Sequence, residues 1–319
     1  MSEVGKRMFA KGADVSWLPA MERSGYQFYN ARGEREDCLS ILKAHGFNAM
    51  RLRVFYEPSD DVKSGCCDKA ATIAMALRGK AMGMDIMIDF HYSDTWADPQ
   101  KQAKPAAWEG HSEDLLVCDV YRHTYDVLHD LVQAGVTPNW VQIGNEIRFG
   151  MLWPDGRCEN MPVLVRLLNS GCRAAKDISP DIKTIVHLDV GNDHAEYLKF
   201  FDPYFTFGGN CDIIGMSYYP YWLNTRYTEN IDHLRFNLHD MAKRYHKDVM
   251  ICETGEDYQK SEESGEMFRA VIDAVKSVPD NHGLGVFLWE PEGAYSWSGY
   301  RLVSWGDDGR PTAALRAFL

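Results

Sequence analysis

An amide and a carboxylate follow an apolar stretch near the middle of the chain. The segment WVQIG, residues 140–144, reads as a buried strand, and Asn145 and Glu146 come where that strand should end. A buried carboxylate is unfavourable unless it is paired, and proteins accept one mainly at sites where a raised carboxyl pKa is useful. An isolated Asn-Glu pair would favour another interpretation, in which Glu146 caps a loop or pairs with Arg148. The role of Glu146 therefore depends on whether it has a chemical partner.

Glu253 occupies an equivalent place, directly after the apolar run VMIC at 249–252. Two carboxylates roughly 5–5.5 Å apart across a pocket are what cleavage of a glycosidic bond with retained configuration requires. One is protonated and gives its proton to the leaving oxygen, while the other is ionised and attacks the anomeric carbon. Burial and like-charge repulsion would raise the pKa of one of them. Glu146 and Glu253 are candidates for this pair.

Three further side chains could assist such a pair. Arg51, if it approaches Glu253, would keep that carboxylate ionised. Asn145 could donate a hydrogen bond to the sugar 2-hydroxyl, an interaction that strengthens in the transition state. Tyr219 could hold the nucleophile by a hydrogen bond. All of this requires the ends of distant segments to meet.

The hydrophobic pattern supplies such an arrangement, because eight short apolar runs alternate with amphipathic helical runs. The predicted strands are Met8–Ser16, Asn48–Phe55, Asp85–His91, Trp140–Glu146, Lys183–Asp189, Cys211–Tyr218, Lys247–Glu253 and Gly285–Trp289. The predicted helices are Glu34–His45, Asp68–Met82, Asp114–Gln133, Met161–Asp177, His194–Phe201, Asn230–Tyr245, Ser261–Ser277 and Thr312–Leu319. Eight such units predict a (β/α)8 TIM barrel, with a doubly wound sheet as the alternative. No linker or repeat interrupts 1–319, so we expect a single domain.

Polar or aromatic residues stand at the end of every predicted strand, where a barrel places its active site. Singly, each has an ordinary explanation: Arg51 could neutralise a buried acid, His91 could be a satisfied core histidine, and Trp289 could serve packing alone. Their occurrence on all eight strands favours a site. The strand-end residues are Asp14, Trp17, Arg51, Arg53, His91–Asp94, Trp96, Asp98, Asn145, Glu146, His187, Asp189, Ser217–Pro220, Glu253, Thr254 and Trp289–Pro291.

The bulk composition excludes several classes of protein. A net charge of −12 and a pI of about 5.4 supply no basic face for nucleic acid. No apolar run reaches membrane length, and the N-terminus has no apolar core of a signal peptide. The compartment stays open between a cytoplasmic protein and one begun after a removed signal. Aromatic residues reach 12%, which suits core packing and also a sugar-binding cleft.

Cysteine spacing and short motifs argue against metal and phosphate chemistry. The eight Cys are scattered, so we expect mostly buried thiols, although the pair Cys66-Cys67 could be reactive or bridged. The strings HYSD and HLD lack the spacing of hydrolytic metal sites, and we expect no catalytic metal. There is no phosphate-binding or dinucleotide-binding glycine motif and no G-x-S-x-G elbow.

Several long strings resemble glycoside hydrolase family 53, the endo-β-1,4-galactanases of clan A. The resemblance extends from about Phe9 to Pro291, and FHYSDTWADP is its most specific part, whereas GNEI alone would indicate only the clan. The matching blocks are GADVSW (12–17), GFNAMRLRV (46–54), DFHYSDTWADPQKQAKPAAW (89–108), VQIGNEIRFGMLWPDG (141–156), HLDVGND (187–193), GMSYYPYW (215–222), ETG (253–255) and FLWEP (287–291).

This resemblance implies an endo-acting, retaining hydrolase of the β-1,4-galactan side chains of pectin. By position, Glu146 matches the acid/base and Glu253 the nucleophile. Substrate-binding or supporting positions fall on Arg51, His91, Trp96, Asp98, Asn145, Asp189, Tyr219 and Trp289. No cofactor is implied. We expect a monomer without a membrane span whose partner is the polysaccharide, and family members are usually secreted or on the cell surface.

The chain departs from the family in the loops after Glu253 and Trp289, which are short. Many members have longer loops there, tied by calcium or a disulfide. No Cys positions suit a bridge between these loops, and structural calcium is not expected here. Product length is therefore left open. The segment 150–156 should line the cleft wall with Trp153 exposed.

Two other functions fit parts of the sequence. One is a different clan A endoglycanase that acts on mannan or glucan, against which FHYSDTWADP argues. The other is a carbohydrate-binding barrel without catalysis. Such a barrel would keep its aromatic residues, among them Trp96, Trp108, Trp222 and Trp297, but would lose a carboxylate, and both Glu146 and Glu253 are present.

Overall fold

Eight parallel strands close into a barrel in the computed structural model, which describes residues 8–59, 61 and 67–319. Each strand pairs with its neighbours in chain order, and the first pairs with the last. The (β/α)8 prediction is therefore confirmed and the doubly wound alternative is wrong. The barrel strands are β1 (Ala10–Asp14), β2 (Ala49–Val54), β3 (Asp85–Phe90), β4 (Trp140–Ile143), β5 (Lys183–Leu188), β6 (Ile213–Tyr218), β7 (Asp248–Thr254) and β8 (Gly283–Trp289).

Helices cover the outside of the barrel, and several begin at a side chain that satisfies free backbone N–H groups. Asp68 accepts from the amide of Ala71, and Ser112 accepts from the amide of Leu115. The helices are α1 (Leu18–Arg23), α2 (Cys38–Ala44), α3 (Lys69–Ala81), α4 (Glu113–Gln133), α5 (Met161–Ile178), α6 (His194–Thr206), α7 (Tyr227–Tyr245), α8 (Ser261–Lys276) and α9 (Tyr295–Ser298).

The core has two layers, since alternate residues of a barrel strand face inward and outward. The outer layer joins the strands to the helices. A smaller inner layer fills the barrel below its mouth and consists of Ala10, Ala49, Met87, Trp140, Ile185, Ile213, Met250, Cys252, Leu284 and Phe287. Apolar side chains close the barrel interior, so the polar strand ends meet only at its carboxyl side.

Strand register brings those polar ends to one level. Asp14 pairs with Arg51 on one side and with Trp289 on the other, and Ser217 pairs with Glu253. Because parallel strands start and stop together in a closed barrel, residues far apart in the chain become neighbours at the mouth.

Some element boundaries differ from the predictions for local reasons. The strand β4 ends at Ile143, so Glu146 lies in the turn beyond it. The helix α2 begins only at Cys38, because Asp37 caps it by accepting from the amide of Ser40. The helix α6 continues to Thr206, since Pro203 falls in its last turn and Tyr204 extends the buried face. At the C-terminus, Ala313–Phe318 is a 3-10 helix.

Besides several short 3-10 helices, the described residues contain small elements that were not predicted. They are α1, α9 and a two-stranded hairpin of Gly150–Met151 with Gly156–Arg157. Six of the described cysteines, namely Cys38, Cys118, Cys158, Cys172, Cys211 and Cys252, are free thiols, and Cys118 among them is exposed. Of the pair Cys66-Cys67, Cys67 is buried and Cys66 lies outside the described residues. Within the same ranges, no helix combines the length and apolar character needed to cross a bilayer.

Candidate active site

A cavity of about 980 Å³ opens at the carboxyl ends of the strands. Six predicted site residues line it: Asp98, Glu146, Asp189, Tyr219, Glu253 and Trp289. Of the other four, Arg51 contacts Glu253 and Trp96 packs against Trp289. Asn145 and His91 lie behind these two, since Asn145 accepts from Arg51 and the His91 ring meets the Trp96 ring. The structure thus brings together every residue that the sequence assigned to the site, in a lining and a supporting layer.

Glu253 is the next-to-last residue of β7, and its carboxylate is held from two sides. Its Oε1 is 2.8 Å from Nη2 of Arg51, and its Oε2 accepts a hydrogen bond of 3.2 Å from the Tyr219 hydroxyl. Only 6% of the residue is exposed. Both predicted contacts to Glu253 are therefore present, and they fix the orientation of the carboxylate toward the cavity.

Arg51 is fully buried and is shared among several acceptors. Besides Glu253, its guanidinium donates to Asp14 at 2.7 Å, to Asp89 at 2.9 Å and to the side-chain oxygen of Asn145 at 3.0 Å. A buried arginine needs such a set, because its five donors must all be satisfied away from water. One cation thus serves three carboxylates, of which only Glu253 reaches the cavity.

The backbone after β4 turns sharply and thereby aims Glu146 into the cavity. Gly144 has a φ of +81°, and Glu146 itself has a φ of +49°. A Cβ on Gly144 would come within 2.8 Å of the Ile147 side chain, so this turn requires glycine. A glutamate in the left-handed region is unfavourable by itself and occurs mostly at functional positions.

Asn145 is fixed by hydrogen bonds on both sides of its amide. Its Oδ1 accepts from Arg51 and from Gln142, and its Nδ2 donates to the carbonyl of Ala97 at 2.8 Å. An amide nitrogen carries two hydrogens, so one remains beyond the bond to Ala97.

Arg148 does not pair with Glu146. Its guanidinium donates to both carboxylate oxygens of Asp189, at 2.8 and 2.9 Å, and lies 3.3 Å from Glu196. This bidentate pair fixes Asp189 at the cavity wall. The interpretation of Glu146 as the ion-pair partner of Arg148 is therefore wrong.

The electrostatic surroundings of the two glutamates are unequal. Burial raises the pKa of Glu146 well above its usual range, and the negative charges of Glu253 and Asp189 raise it further. Burial also raises the pKa of Glu253, to about 7, but there the Arg51 guanidinium opposes the shift. A proton shared between the two sites is therefore held by Glu146, and Glu253 is the one that ionises first.

A chain of hydrogen bonds connects the supporting layer to Glu146. Nδ1 of His187 lies 3.0 Å from the Gln142 amide nitrogen and 3.2 Å from Oδ1 of Asn145, and its Nε2 lies 2.8 Å from the Ser217 hydroxyl. Burial and the Arg51 charge lower the pKa of His187 and keep it neutral. Ser217 in turn hydrogen-bonds the carboxyl of Glu146.

His91 and Trp96 belong to the supporting layer. Nε2 of His91 is 3.0 Å from Asp89, and its Nδ1 accepts from the amide of Ala97. Trp96 packs against Trp289 with ring centroids 5.8 Å apart and places its face 4.3 Å from the Arg53 guanidinium. Both side chains hold residues that line or support the cavity.

The cavity is also lined by residues that were not predicted as part of the site. Phe149, Asn192, Leu223 and Tyr300 line it, together with Trp222 from the GMSYYPYW string. Phe149 and Asn192 fall within two of the strings that match the family, whereas Leu223 and Tyr300 lie outside those strings, in segments without regular hydrophobic periodicity. The expectation that the segment 150–156 lines the cavity is wrong, and Phe149 lines it instead. Trp153 is half-buried; its indole donates to the carbonyl of Phe149, and the Arg157 guanidinium lies over its ring.

The loops after β7 and β8 are joined by an ion pair. Arg301 donates to Asp257 at 2.9 Å and to Gln259 at 2.8 Å, and the Tyr258 amide donates to the carbonyl of Arg301. The other oxygen of Asp257 accepts from the amide of Gln259. A calcium ion would have to displace a guanidinium from this carboxylate, so these residues do not fit one. No cluster of three or more His, Cys, Asp or Glu suited to a metal occurs in residues 8–59, 61 and 67–319.

A closed (β/α)8 barrel with two buried, unequal carboxylates at its mouth is the architecture of a barrel glycoside hydrolase. The family model described as glycosyl hydrolase family 53 matches residues 10–310. The chain belongs to this family, as the sequence indicated.

Relatives and solved structures agree with this assignment. The chain is 35% identical to an arabinogalactan endo-beta-1,4-galactanase of Thermothelomyces thermophilus, over 88% of this chain and 89% of that protein. It is similar to the family 53 catalytic domain of Ignisphaera aggregans, with 32% identity and a TM-score of 0.88 over 97% and 95% of the two chains. A fungal beta-1,4-galactanase structure gives 30% identity and a TM-score of 0.89 over 97% and 98%.

Proposed function

We propose that this protein is an endo-acting β-1,4-galactanase that hydrolyses the galactan side chains of pectin with retention of configuration. The observation that carries the proposal is the unequal pair Glu146 and Glu253, which face one cavity in a family 53 barrel. Relatives at about a third identity are named arabinogalactan endo-beta-1,4-galactanases, which supports galactan as the substrate.

In the first step, Glu146 is the acid and Glu253 the nucleophile. The Glu253 carboxylate attacks the anomeric carbon while the Glu146 carboxylic acid gives its proton to the glycosidic oxygen. The carbon–oxygen bond to the leaving chain breaks, and that chain departs with a free hydroxyl. The sugar is left as an ester on Glu253. The pKa order of the two groups provides each in the required protonation state before the reaction.

In the second step, the Glu146 carboxylate acts as a base. It takes a proton from a water molecule, whose oxygen attacks the anomeric carbon and displaces the Glu253 carboxylate. Each step inverts the carbon, so the product keeps the β configuration. Glu146 regains its proton and the pair returns to its initial state. Two carboxylates and water suffice, and no metal or cofactor takes part.

The supporting residues have defined roles in this scheme. Arg51 stabilises the ionised Glu253, and the Tyr219 hydroxyl holds its second oxygen. The free amide hydrogen of Asn145 is assigned to the sugar 2-hydroxyl. Trp289 and Tyr300 provide aromatic faces in the cavity lining, against which the apolar faces of sugar rings can pack.

The direct test is hydrolysis by the purified protein of β-1,4-galactan, β-mannan and β-1,4-glucan in parallel. We expect short oligosaccharides from galactan from the earliest times, with a rapid fall in polymer length, and little product from the other two. Activity on mannan or glucan without activity on galactan would assign the protein to a different specificity. Binding of galactan without hydrolysis would instead support the non-catalytic alternative.

A further inference from the structure

A second cavity of about 410 Å³ lies beside the catalytic one. It is formed by the loop before α6, the start of α6 and the adjoining face of α7, and is lined by Asn192, Asp193, His194, His233 and Phe236. Asn192 also lines the catalytic cavity. One residue therefore forms the boundary between the two spaces, and a chain crossing Asn192 would pass from one into the other.

Phe236 gives the second cavity an open aromatic face. The residue is 58% exposed, although it is a large apolar side chain in the middle of α7. Its ring meets the His194 ring nearly edge-on, at 4.9 Å between centroids. His194 is held in turn by Asp240, 2.8 Å from its Nε2. The aromatic ring is thus supported on one side and accessible on the other, as a stacking surface for a sugar requires.

Asn192 adds an unsatisfied polar atom at the boundary. Its Oδ1 is buried and has no hydrogen-bond donor within residues 8–59, 61 and 67–319. Buried side-chain oxygens nearly always have a donor, so this atom calls for one from a ligand or from water. A sugar hydroxyl is such a donor.

The charges around the second cavity favour a neutral ligand. Its lining contains Asp193 and two histidines but neither Lys nor Arg among the described residues. An anionic sugar such as a uronate would meet a carboxylate and find no fixed cation. Neutral pyranose rings, with hydroxyls for Asn192 and Asp193 and an apolar face for Phe236, fit this set.

We propose that the second cavity is a distal subsite for the same galactan chain, which leaves the catalytic cavity over Asn192 and stacks one sugar on Phe236. The proposal rests on the proposed function and deepens it, since it predicts a higher kcat/KM for long galactan chains than for short ones. Its volume is within the range of cavities that bind small organic ligands.

The test compares Phe236→Ala with Phe207→Ala. Phe207 follows the opposite end of α6, is 54% exposed and lines neither cavity, so the control removes a similar ring elsewhere. Both variants and the unmodified protein are assayed on polymeric β-1,4-galactan and on galactotriose, with thermal melting as a check on folding.

We expect Phe236→Ala to lower kcat/KM for the polymer about three- to tenfold, as loss of one aromatic contact predicts, and to leave galactotriose unchanged. Phe207→Ala should leave both substrates unchanged, and Phe236→Trp should restore the polymer rate.

An unchanged polymer rate in Phe236→Ala, or an equal loss on both substrates, would overturn the distal subsite. Inactivity of the unmodified protein on galactan would overturn the proposed function and this inference together, and the unmodified control separates that outcome from the others.

Discussion

Two arginine-centred clusters stand side by side at the mouth of the barrel, and only one of them faces the cavity. The cavity-facing cluster is Arg51 with Asp89 and Glu253; the closed cluster is Arg53 with Glu290 and Glu292. Asp14 joins them, with one carboxylate oxygen 2.7 Å from Arg51 and the other 3.3 Å from Arg53.

Acids in both clusters have raised pKa values. Burial raises the pKa of Glu290 to about 7, against the Arg53 charge, just as it raises that of Glu253 to about 7 against Arg51. Burial raises the pKa of Glu292 well above its usual range, with a further contribution from Glu290. Glu146 stands in the same relation to Glu253.

Access distinguishes the clusters. Glu146 and Glu253 line the large cavity, whereas Glu290 and Glu292 are fully buried and absent from its lining. The Arg53 guanidinium lies within 4.3–5.8 Å of the rings of Trp17, Trp96 and Trp289, and the Trp17 amide donates to both oxygens of Glu290. A shifted pKa therefore marks a buried acid, and only a reachable one can do chemistry.

The largest expected effect separates Glu253 from Glu292. We expect Glu253→Gln to lower kcat on galactan by about 10⁴-fold or more, because an amide cannot form the ester intermediate. Glu292→Gln, an equally isosteric change at a buried acid of the closed cluster, should stay within about threefold of the unmodified protein. Initial rates on the polymer measure the activity of both variants. Comparable losses of activity would show that access to the cavity does not distinguish the two clusters.

Glu146→Gln is expected to lower kcat on galactan about 10²- to 10⁴-fold, the range for loss of a general acid. An aryl galactobioside with an acidic phenol needs little protonation of its leaving group, so its first step should be nearly unaffected. Release of the phenol in a rapid burst, followed by slow turnover, is the measurable result. Phenol released as slowly in the first turnover as in steady state, with no burst, would contradict the acid role.

Arg51→Lys should have a smaller effect, roughly tenfold in kcat/KM at the optimum, with a change in pH dependence. Arg51 lowers the pKa of Glu253, and activity requires ionised Glu253, so kcat/KM rises as pH rises through that pKa. Weakening the cation should move the acid limb to higher pH, and should move the alkaline limb, which reports deprotonation of Glu146, by less, because Arg51 is the smallest of the influences on the pKa of Glu146. An acid limb at unchanged pH would show that Arg51 does not tune Glu253.

The smallest effect concerns stability. Because the folded pKa of Glu292 lies above its ordinary value of 4.5, the native state holds a proton that the unfolded state has lost, and stability falls as pH rises above 4.5. Glu292→Gln cannot ionise, so its Tm should fall less than that of the unmodified protein between pH 5 and 7, by about 2–4 °C. Exposed Glu159→Gln is the control for loss of one charge. If the Tm of all three proteins fell equally between pH 5 and 7, Glu292 would not be a source of the pH dependence of stability.

The sequence was sufficient to predict the barrel, because strand and helix periodicities are local. It also placed Glu146, Glu253 and Arg51 together, since the ends of parallel strands in a barrel must meet. It did not indicate the turn that gives Glu146 its positive φ, nor that Phe149 lines the cavity in place of Trp153. Loop conformations of this kind depend on contacts between segments remote in the chain, for which spacing carries no signal.

The closed cluster was equally beyond prediction. Glu290 was visible as a polar strand end, but nothing in its spacing distinguished it from Glu253. The difference arises from tryptophans contributed by three separate strand ends, which cover Arg53 and exclude solvent. Only the assembled structure shows which of two similar acids can be reached.

Covalent trapping measures that difference directly. A galactobiosyl fluoride with fluorine at position 2 of the reacting sugar slows the second step and accumulates the ester, which peptide mass spectrometry then locates. The structure predicts a single adduct, on the peptide that contains Glu253, and none in Glu253→Gln. An adduct on the peptide containing Glu290, or steady turnover without any adduct, would contradict the assignment of the cavity-facing carboxylate as the nucleophile.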